Sequence, residues 1–468
     1  MVFSSLTFLY LYLPVVLLIY YLVPKQARNF VLFVSGFVFY AWGEPVYIFL
    51  MTFTVLVDYT CGRVMTRFDH NNKVRLAVLL TSIVINMSIL AVFKYNSFVV
   101  QNLNALLGLT IKDPKIALPI GISFYTFQSM SYTIDLYRRN VPEQKSFIDY
   151  AAYVSMFPQL VAGPIVRYGD VQRELAHRKV FVLNLGDGAG LFIQGLAKKV
   201  LLANNVGALW TRIKEIPASE LSVATAWFGI LAFTMQIYFD FSGYSDMAIG
   251  MGRMLGFKFP KNFDYPYVSK SVTEFWRRWH MTLGTWFREY VYIPLGGNRK
   301  GTPRMVLNLL IVWMLTGLWH GASWNFVLWG LYYGVILIIE KLFLSKILNK
   351  IPFSITRLYT FFLVVIGWVL FEFTDITQMF AYYGAMFGTQ GRALADGTFT
   401  YLFSSYWLVF FLSVILSLDW VDKLSLRLYR RRPGLTKGIA VALQVVMMLL
   451  CTAYLVDATY NPFLYFRF

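Results

Sequence analysis

Charged residues are scarce in this sequence. Asp, Glu, Lys and Arg make up 14% of its 468 residues, against about 25% in a water-soluble domain. With 58% hydrophobic and 18% aromatic residues, the composition excludes an ordinary soluble domain and points to a bilayer. Cysteine is rarer still. Cys61 and Cys451 lie in or beside different apolar segments, which excludes a disulfide framework. The four histidines are scattered, so with the cysteines they make no metal-ligand spacing, and no metal is expected. Several catalytic signatures are missing too. No G-x-S-x-G elbow supports a serine hydrolase. "GGNRKGT" carries Thr302 where a P-loop needs lysine, and "GMGRMLG" misses the dinucleotide fingerprint by one residue. Histidine remains as the main candidate for chemistry.

What is abundant is apolar sequence of membrane-spanning length, roughly 20 residues per span. Ser5 to Val23 carries no charge, and Leu76 to Phe93, Leu221 to Phe239, Phe361 to Phe371 with its flanks, and Ile439 to Val456 are similar. About 11–13 such segments occur, some too short or too polar to cross. The reading is an all-α polytopic integral membrane protein over 1–468, not a string of soluble domains. The first segment has its basic residues after the apolar stretch, which marks a retained span. The net charge of +18 is spread between apolar segments, which argues against nucleic acid and for the positive-inside rule. Lys25 and Arg28, then Arg63, Arg67, Lys73 and Arg75, fall on loops expected inside, with "WGEP" between them outside. Lys423, Arg427, Arg430, Arg431, Arg432 and Lys437 form another basic loop. If that loop is also cytoplasmic, both termini are extracytoplasmic.

Three zones follow. Residues 1–110 are conventional spans, 115–345 are apolar segments interrupted by Pro, Gly, Asp and Arg, and 350–468 return to plain spans. Broken or charged backbone at membrane depth is tolerated only inside protein or along a water-filled cavity, so the middle zone is where a cavity is expected. Residues 274–290 are amphipathic at the helical period. Phe275, Trp276, Trp279, Leu283, Trp286, Phe287 and Tyr290 share one arc, while Arg277, His280, Gly284 and Arg288 share another. That second face suits an anionic group; the plain alternative is a surface helix whose arginines meet lipid phosphates. "YFDFSGYSD" places Asp240 and Asp246 in apolar surroundings. A buried carboxylate needs a partner, so helix capping and a structural ion pair with arginine are favoured over catalysis.

From Met305 to Ile339 run 35 residues in which His320 alone can change charge near neutral pH. One helix of that length spans about 52 Å, well beyond the roughly 30 Å hydrocarbon core. The run must therefore break, and Gly317, Gly321 and Ser323 in "TGLWHGASWN" mark the place. Burial keeps imidazole neutral, and a neutral imidazole has an acceptor nitrogen suited to taking a proton from a hydroxyl. The alternative is a structural histidine with Trp319 or Asn325 as neighbours. Ionisable residues inside a membrane favour chemistry.

The motifs "LPIGISFYTFQSMSY", "FPQLVAGPIVRY", "QIYFDFSGYSDMAIGMGRMLGF", "SVTEFWRRWHMTLGTWFREYVYIPLGGNRKG" and "LTGLWHGASWNFVLWGLYYG" together resemble the membrane-bound O-acyltransferase superfamily. The resemblance is to its bacterial branch, which includes alginate, cellulose and peptidoglycan O-acetylation proteins and the teichoic acid D-alanyl transferase. It implies a ring of membrane helices around a central funnel in a bacterial inner membrane, with 115–345 as the catalytic core. His320 matches the family's catalytic histidine, and His280 the second histidine of this branch. "FLYFRF" at the end resembles a terminal aromatic motif whose tyrosine, here Tyr465, carries the acyl group. An interfacial aromatic belt would satisfy the same residues.

The expected reaction is acetyl transfer from a cytoplasmic thioester, most simply acetyl-CoA, with no bound cofactor. Arg277, Arg278, Arg288 and Arg299 attract its phosphates, and His320 is the general base. His280 orients the donor or stabilises the oxyanion, and Trp279, Trp319, Asn325, Asp240 and Asp246 support the site. Membrane lipid, an extracytoplasmic acetyltransferase and a polysaccharide acceptor are the implied partners. Exopolysaccharide such as alginate or cellulose is the first choice of polymer, and peptidoglycan the second. A transporter of acyl donor or glycan shares the broken helices, but no inverted repeat is visible. A scaffold would leave both histidines replaceable.

Overall fold

A computed structural model describes residues 1–161, 163–179, 182–389 and 391–457. Among them every regular element is helical. In lipid no water is available to backbone groups, so each segment must satisfy its own N–H and C=O, and a helix does so locally. Eight described helices are long and apolar enough to cross a bilayer, and Phe8–Leu22 is a shorter apolar helix. The protein is therefore a multi-pass all-α membrane protein. Other apolar stretches of the sequence form shorter helices, such as Arg28–Gly43 and Ile122–Tyr137 with 16 residues each.

The chain divides into two compact units, Met1–Phe192 with Met247–Pro260, and Ile193–Asp246 with the chain from Lys261 onward. The first unit contains α1 (Leu13–Leu22), α2 (Arg28–Gly43), α3 (Ile48–Arg67), α4 (Asn72–Leu107), α5 (Ile122–Tyr137), α6 (Phe147–Ser155), α7 (Tyr168–His177) and most of α8 (Val182–Ala197). Every residue of α5 from Ile122 to Leu136 is buried, so its polar side chains must bond within the unit. Ser129 does so through Asp58 of α3. Its carboxylate accepts from Ser82 Oγ at 2.6 Å, from Asn86 Nδ2 at 2.9 and 3.0 Å, and from Ser129 Oγ. Ser129 in turn meets the Tyr150 hydroxyl at 2.8 Å. One buried carboxylate thereby ties α3, α4, α5 and α6 together.

The second unit contains α9 (Asn204–Lys214), the larger part of α10 (Val223–Met254), α11 (Val272–Arg278), α12 (Met281–Phe287), α13 (Gly301–His320), α14 (Trp324–Ile339), the single-turn α15 (Ser345–Leu348), α16 (Phe353–Glu372), α17 (Ile376–Met386), α18 (Gly397–Leu416), α19 (Trp420–Arg431) and α20 (Pro433–Asp457). The apolar window of α10 is 78% buried, against 11% for α20. α10 is thus enclosed by protein while α20 is largely uncovered, and α10 is where polar side chains find protein partners. Asp240 on α10 pairs with Lys199 at 2.7 Å, both 2% exposed, and Lys199 Nζ also donates to Asn204 Oδ1 at 2.9 Å.

α13 and α14 form the antiparallel pair that carries the long apolar run. The run does break, at Gly321–Ser323, after His320 ends α13. Gly317 plays a different part from the one its place in the motif suggests. It lies inside α13, where a Cβ would fall on the Phe326 carbonyl oxygen, just as a Cβ on Gly330 would fall on that of Trp313. These glycines let two backbones touch, which is how helices associate where lipid supplies no hydrophobic drive.

Candidate active site

The amphipathic stretch 274–290, continuous by its periodicity, is broken in the structure. α11 stops at Arg278, α12 starts at Met281, and a π-helical turn at Arg288–Tyr292 follows. The break is His280, held at φ 44° and ψ 53° in the left-handed region. A non-glycine residue there costs on the order of 1–3 kcal/mol, and persists only where the surroundings impose it. Asn262 imposes it here. Its carbonyl accepts from Met281 N at 2.9 Å, taking over a hydrogen bond a continuous helix would have made internally. Its side-chain Oδ1 lies 3.1 Å from His280 Nδ1 and accepts from Thr282 Oγ1 at 2.9 Å and Thr282 N at 3.3 Å. Asn262 Nδ2 donates to Ser245 Oγ on α10 at 3.0 Å. Burial pushes the His280 imidazole down to about 3, so the ring is neutral at physiological pH.

The other end of α11 is anchored as firmly. Glu340 follows α14 and is fully buried. Its carboxylate accepts from Val272 N and Thr273 N, each at 2.8 Å, from Thr273 Oγ1 at 2.6 Å, and from the Tyr359 hydroxyl at 3.2 Å. A carboxylate at a helix N-terminus satisfies amides that the helix leaves open and meets the positive end of its dipole.

His320 sits in an aromatic box. Its ring centroid lies 5.0 Å from Trp319, 5.0 Å from Trp329 and 5.4 Å from Phe371. Trp319 also lies 5.8 Å from the His280 ring. The indole thus connects two histidines that stand 40 positions apart in the chain. Both line one cavity of about 730 Å³, together with Trp276, Trp279, Trp313, Arg277, Arg288, Tyr292 and Lys341. Lys341 Nζ donates to Asn298 Oδ1 at 2.6 Å and to the Tyr292 hydroxyl at 3.1 Å. The cavity therefore combines aromatic walls, two imidazoles and three cations. That combination suits a molecule with an anionic part and an apolar, reactive part.

The remaining sequence-selected residues divide clearly. Trp279 lies on the cavity and is stacked on Phe275 at 5.6 Å. Arg278 is not among the lining residues; its guanidinium reaches Glu274 at 2.9 Å and Asp264 at 3.5 Å. Asn325 opens α14, donates to the Leu370 and Phe371 carbonyls at 3.2 and 3.1 Å, and accepts from Ser323 Oγ. It pins α14 to α16 beside the aromatic box. Asp240 and Asp246 are both held in ion pairs away from the cavity lining. Their partners are lysines, Lys199 and Lys198 at 2.7 and 2.6 Å, rather than the expected arginine. Two consecutive lysines on the π-helical turn Lys198–Ala203 place both ammonium groups against α10. Tyr465 lies outside the described residues. Among the described residues no cluster of three or more His, Cys, Asp or Glu suits a metal ion.

Asn262, Glu340, Tyr292 and Lys341 escaped the sequence reading. Glu340 and Lys341 were visible only as the charged end of an apolar run. Asn262, in "KNFDYP", carries no motif, and its role depends on a chain reversal that no local pattern announces.

Comparison with known proteins places the whole site in one matched region. The model of the membrane-bound O-acyltransferase family, MBOAT, matches residues 132–377. A probable alginate O-acetylase of Azotobacter vinelandii is 40% identical over 400 residues, covering 85% of this chain and 80% of that protein. One from Pseudomonas aeruginosa is 42% identical over 395 residues, covering 83% and 75%. A peptidoglycan O-acetyltransferase of Helicobacter pylori is 33% identical over 430 residues, covering 84% and 81%.

Proposed function

Because this chain belongs to the membrane-bound O-acyltransferase family and is an O-acyltransferase, we propose that it moves acetyl groups across a bacterial inner membrane for O-acetylation of an exopolysaccharide. Alginate or a cellulose-like polymer is the favoured final acceptor, on the strength of the relatives near 40% identity. The donor is a cytoplasmic thioester, acetyl-CoA being the simplest. The observation that carries this reading is one cavity lined by both buried histidines and by Arg277, Arg288 and Lys341. The cations hold the donor's phosphates by charge. The aromatic walls exclude water, which would otherwise hydrolyse the thioester.

In this scheme His320 is the general base. It takes the proton of an acceptor hydroxyl, the oxygen attacks the thioester carbon, the new C–O bond forms and the C–S bond breaks. The leaving thiolate recovers the proton from the imidazolium. General-base removal by a positioned group is worth about 10²–10⁴-fold. Tyr465 is the proposed first acceptor, from which an extracytoplasmic acetyltransferase passes the group to polymer. Peptidoglycan is the second choice of polymer, supported by the Helicobacter pylori relative.

The test is to supply the purified protein, in nanodiscs, with acetyl-CoA labelled in its acetyl group. Label is expected on Tyr465 in the wild type and absent from His320→Ala, with both proteins equally inserted and equally heat-stable. Full labelling in the His320 variant would end the general-base assignment. No label in the wild type would end the acetyl-CoA scheme.

A further inference from the structure

The geometry around Asn262 points to a second role assignment: we infer that Asn262 is a positioning residue that locks His280 in the Nδ1–H tautomer. The argument rests on donors and acceptors alone. A backbone N–H can only donate, so the Asn262 atom 3.3 Å from Thr282 N must be the carbonyl oxygen. The amide nitrogen is thereby turned to Ser245 Oγ at 3.0 Å. The same Oδ1 lies 3.1 Å from His280 Nδ1, and an oxygen there requires a proton on that nitrogen. A neutral imidazole with its proton on Nδ1 carries its lone pair on Nε2.

The left-handed backbone of His280 serves the same end. Met281 N and the Thr282 backbone and hydroxyl all turn toward Asn262, which fixes its side-chain oxygen opposite His280 Nδ1, so turning the ring breaks that hydrogen bond. His280 lines the cavity with its Nδ1 edge committed to protein. The opposite edge of the ring carries the Nε2 lone pair. An imidazole in that state cannot donate to the oxygen of a tetrahedral intermediate, which needs N–H groups. This deepens the acyl-transfer reading of the cavity and rests on it, whereas the tautomer itself does not.

The chain has four histidines, so ring ¹⁵N labelling of the full protein in nanodiscs gives a tractable NMR spectrum, with His280→Gln identifying the signal. The expected result is a pyrrole-type Nδ1 and a pyridine-type Nε2 at His280. Asn262→Ala should turn this into a tautomer mixture. Asn262→Asp places a carboxylate on Nδ1, which favours the imidazolium. In labelled acetyl transfer, its acid limb should move to higher pH and its kcat fall about tenfold or more, with the KM for acetyl-CoA little changed. Ser245→Ala, which loosens only the Nδ2 anchor, should give a smaller share of the tautomer mixture expected for Asn262→Ala. A wild-type spectrum with the proton on Nε2 would overturn the assignment. So would an Asn262→Asp protein whose ring stays neutral and whose pH profile is unmoved. The NMR result stands whether or not acetyl-CoA proves to be the donor.

Discussion

Glu340→Ala is the most informative substitution for how the fold presents the site. The wild-type carboxylate is fully buried and satisfies two backbone N–H groups at the start of α11, one threonine hydroxyl and one tyrosine hydroxyl. Hydrogen bonds to a charged acceptor contribute about 1.5–3 kcal/mol each, but burying the charge offsets much of that. The net loss is better judged from what alanine leaves behind. The Val272 amide becomes a buried donor without a partner, at about 1–3 kcal/mol, and the half-buried Thr273 amide loses its acceptor at about 0.5–1.5 kcal/mol. The Tyr359 hydroxyl, more exposed, recovers part of its loss from water. The sum is about 3 kcal/mol, localised at the N-terminal end of a seven-residue helix. A helix that short has no reserve of internal hydrogen bonds, so the loss should appear as local opening rather than global unfolding.

Hydrogen exchange read by mass spectrometry on peptides covering 269–279 is the direct assay. About 3 kcal/mol corresponds to roughly a hundredfold faster exchange, since each 1.4 kcal/mol is a factor of ten. Peptides from α18 and α20 should be unaffected. Acetyl transfer should fall with it, because α11 leads directly into His280. Glu340→Gln keeps one acceptor oxygen and should lie between wild type and alanine. Unchanged protection of 269–279 in Glu340→Ala would refute the view that this carboxylate holds α11 in place.

Three further outcomes are expected. Asp240→Asn leaves the Lys199 charge buried beside a neutral amide and should destabilise by about 3–5 kcal/mol, whereas Asp246→Asn, whose pair with Lys198 is a quarter to a third exposed, should cost under about 1 kcal/mol; melting in detergent separates them. Gly330→Ala drives a methyl into the Trp313 carbonyl and should cost about 1–3 kcal/mol, while Gly438→Ala on α20 meets no atom within 4 Å and should be neutral or gain up to about 1 kcal/mol. Arg277→Gln with Lys341→Gln should raise the KM for acetyl-CoA about tenfold with kcat nearly retained, and the effect should shrink at high salt. A loss of kcat alone would place those cations elsewhere in the cycle.

Parts of the site were legible in the sequence because they violate the chemistry of their surroundings. His320 is the one neutral-pH titratable group in 35 apolar residues, and a run that long must break in a bilayer. The aspartates of α10 announced ion pairs for the same reason, since a lone buried carboxylate is too costly. Which cation answers them was not legible, and lysines of a π-helical turn supplied it. The 274–290 stretch misled because its periodicity is helical throughout, and periodicity reports the preferences of side chains, not where a backbone is turned. Gly317 misled in the opposite sense, for a glycine inside a helix reads as a break when it is in fact a point of contact.

By itself the sequence determined that this chain lives in a bilayer, that its middle zone sets polar residues among apolar ones, and that histidine is the candidate for chemistry. Those conclusions follow from the cost of transferring charge and unpaired backbone into hydrocarbon, a cost that depends on composition and spacing. Tertiary structure alone decided that His280 and His320 share one cavity, that Glu340 and Asn262 hold the two ends of α11, and that Asn262 Oδ1 lies against Nδ1 of His280. Those depend on directed hydrogen bonds between residues far apart in the chain. Direction at a distance is set by how helices pack, and no local pattern carries it.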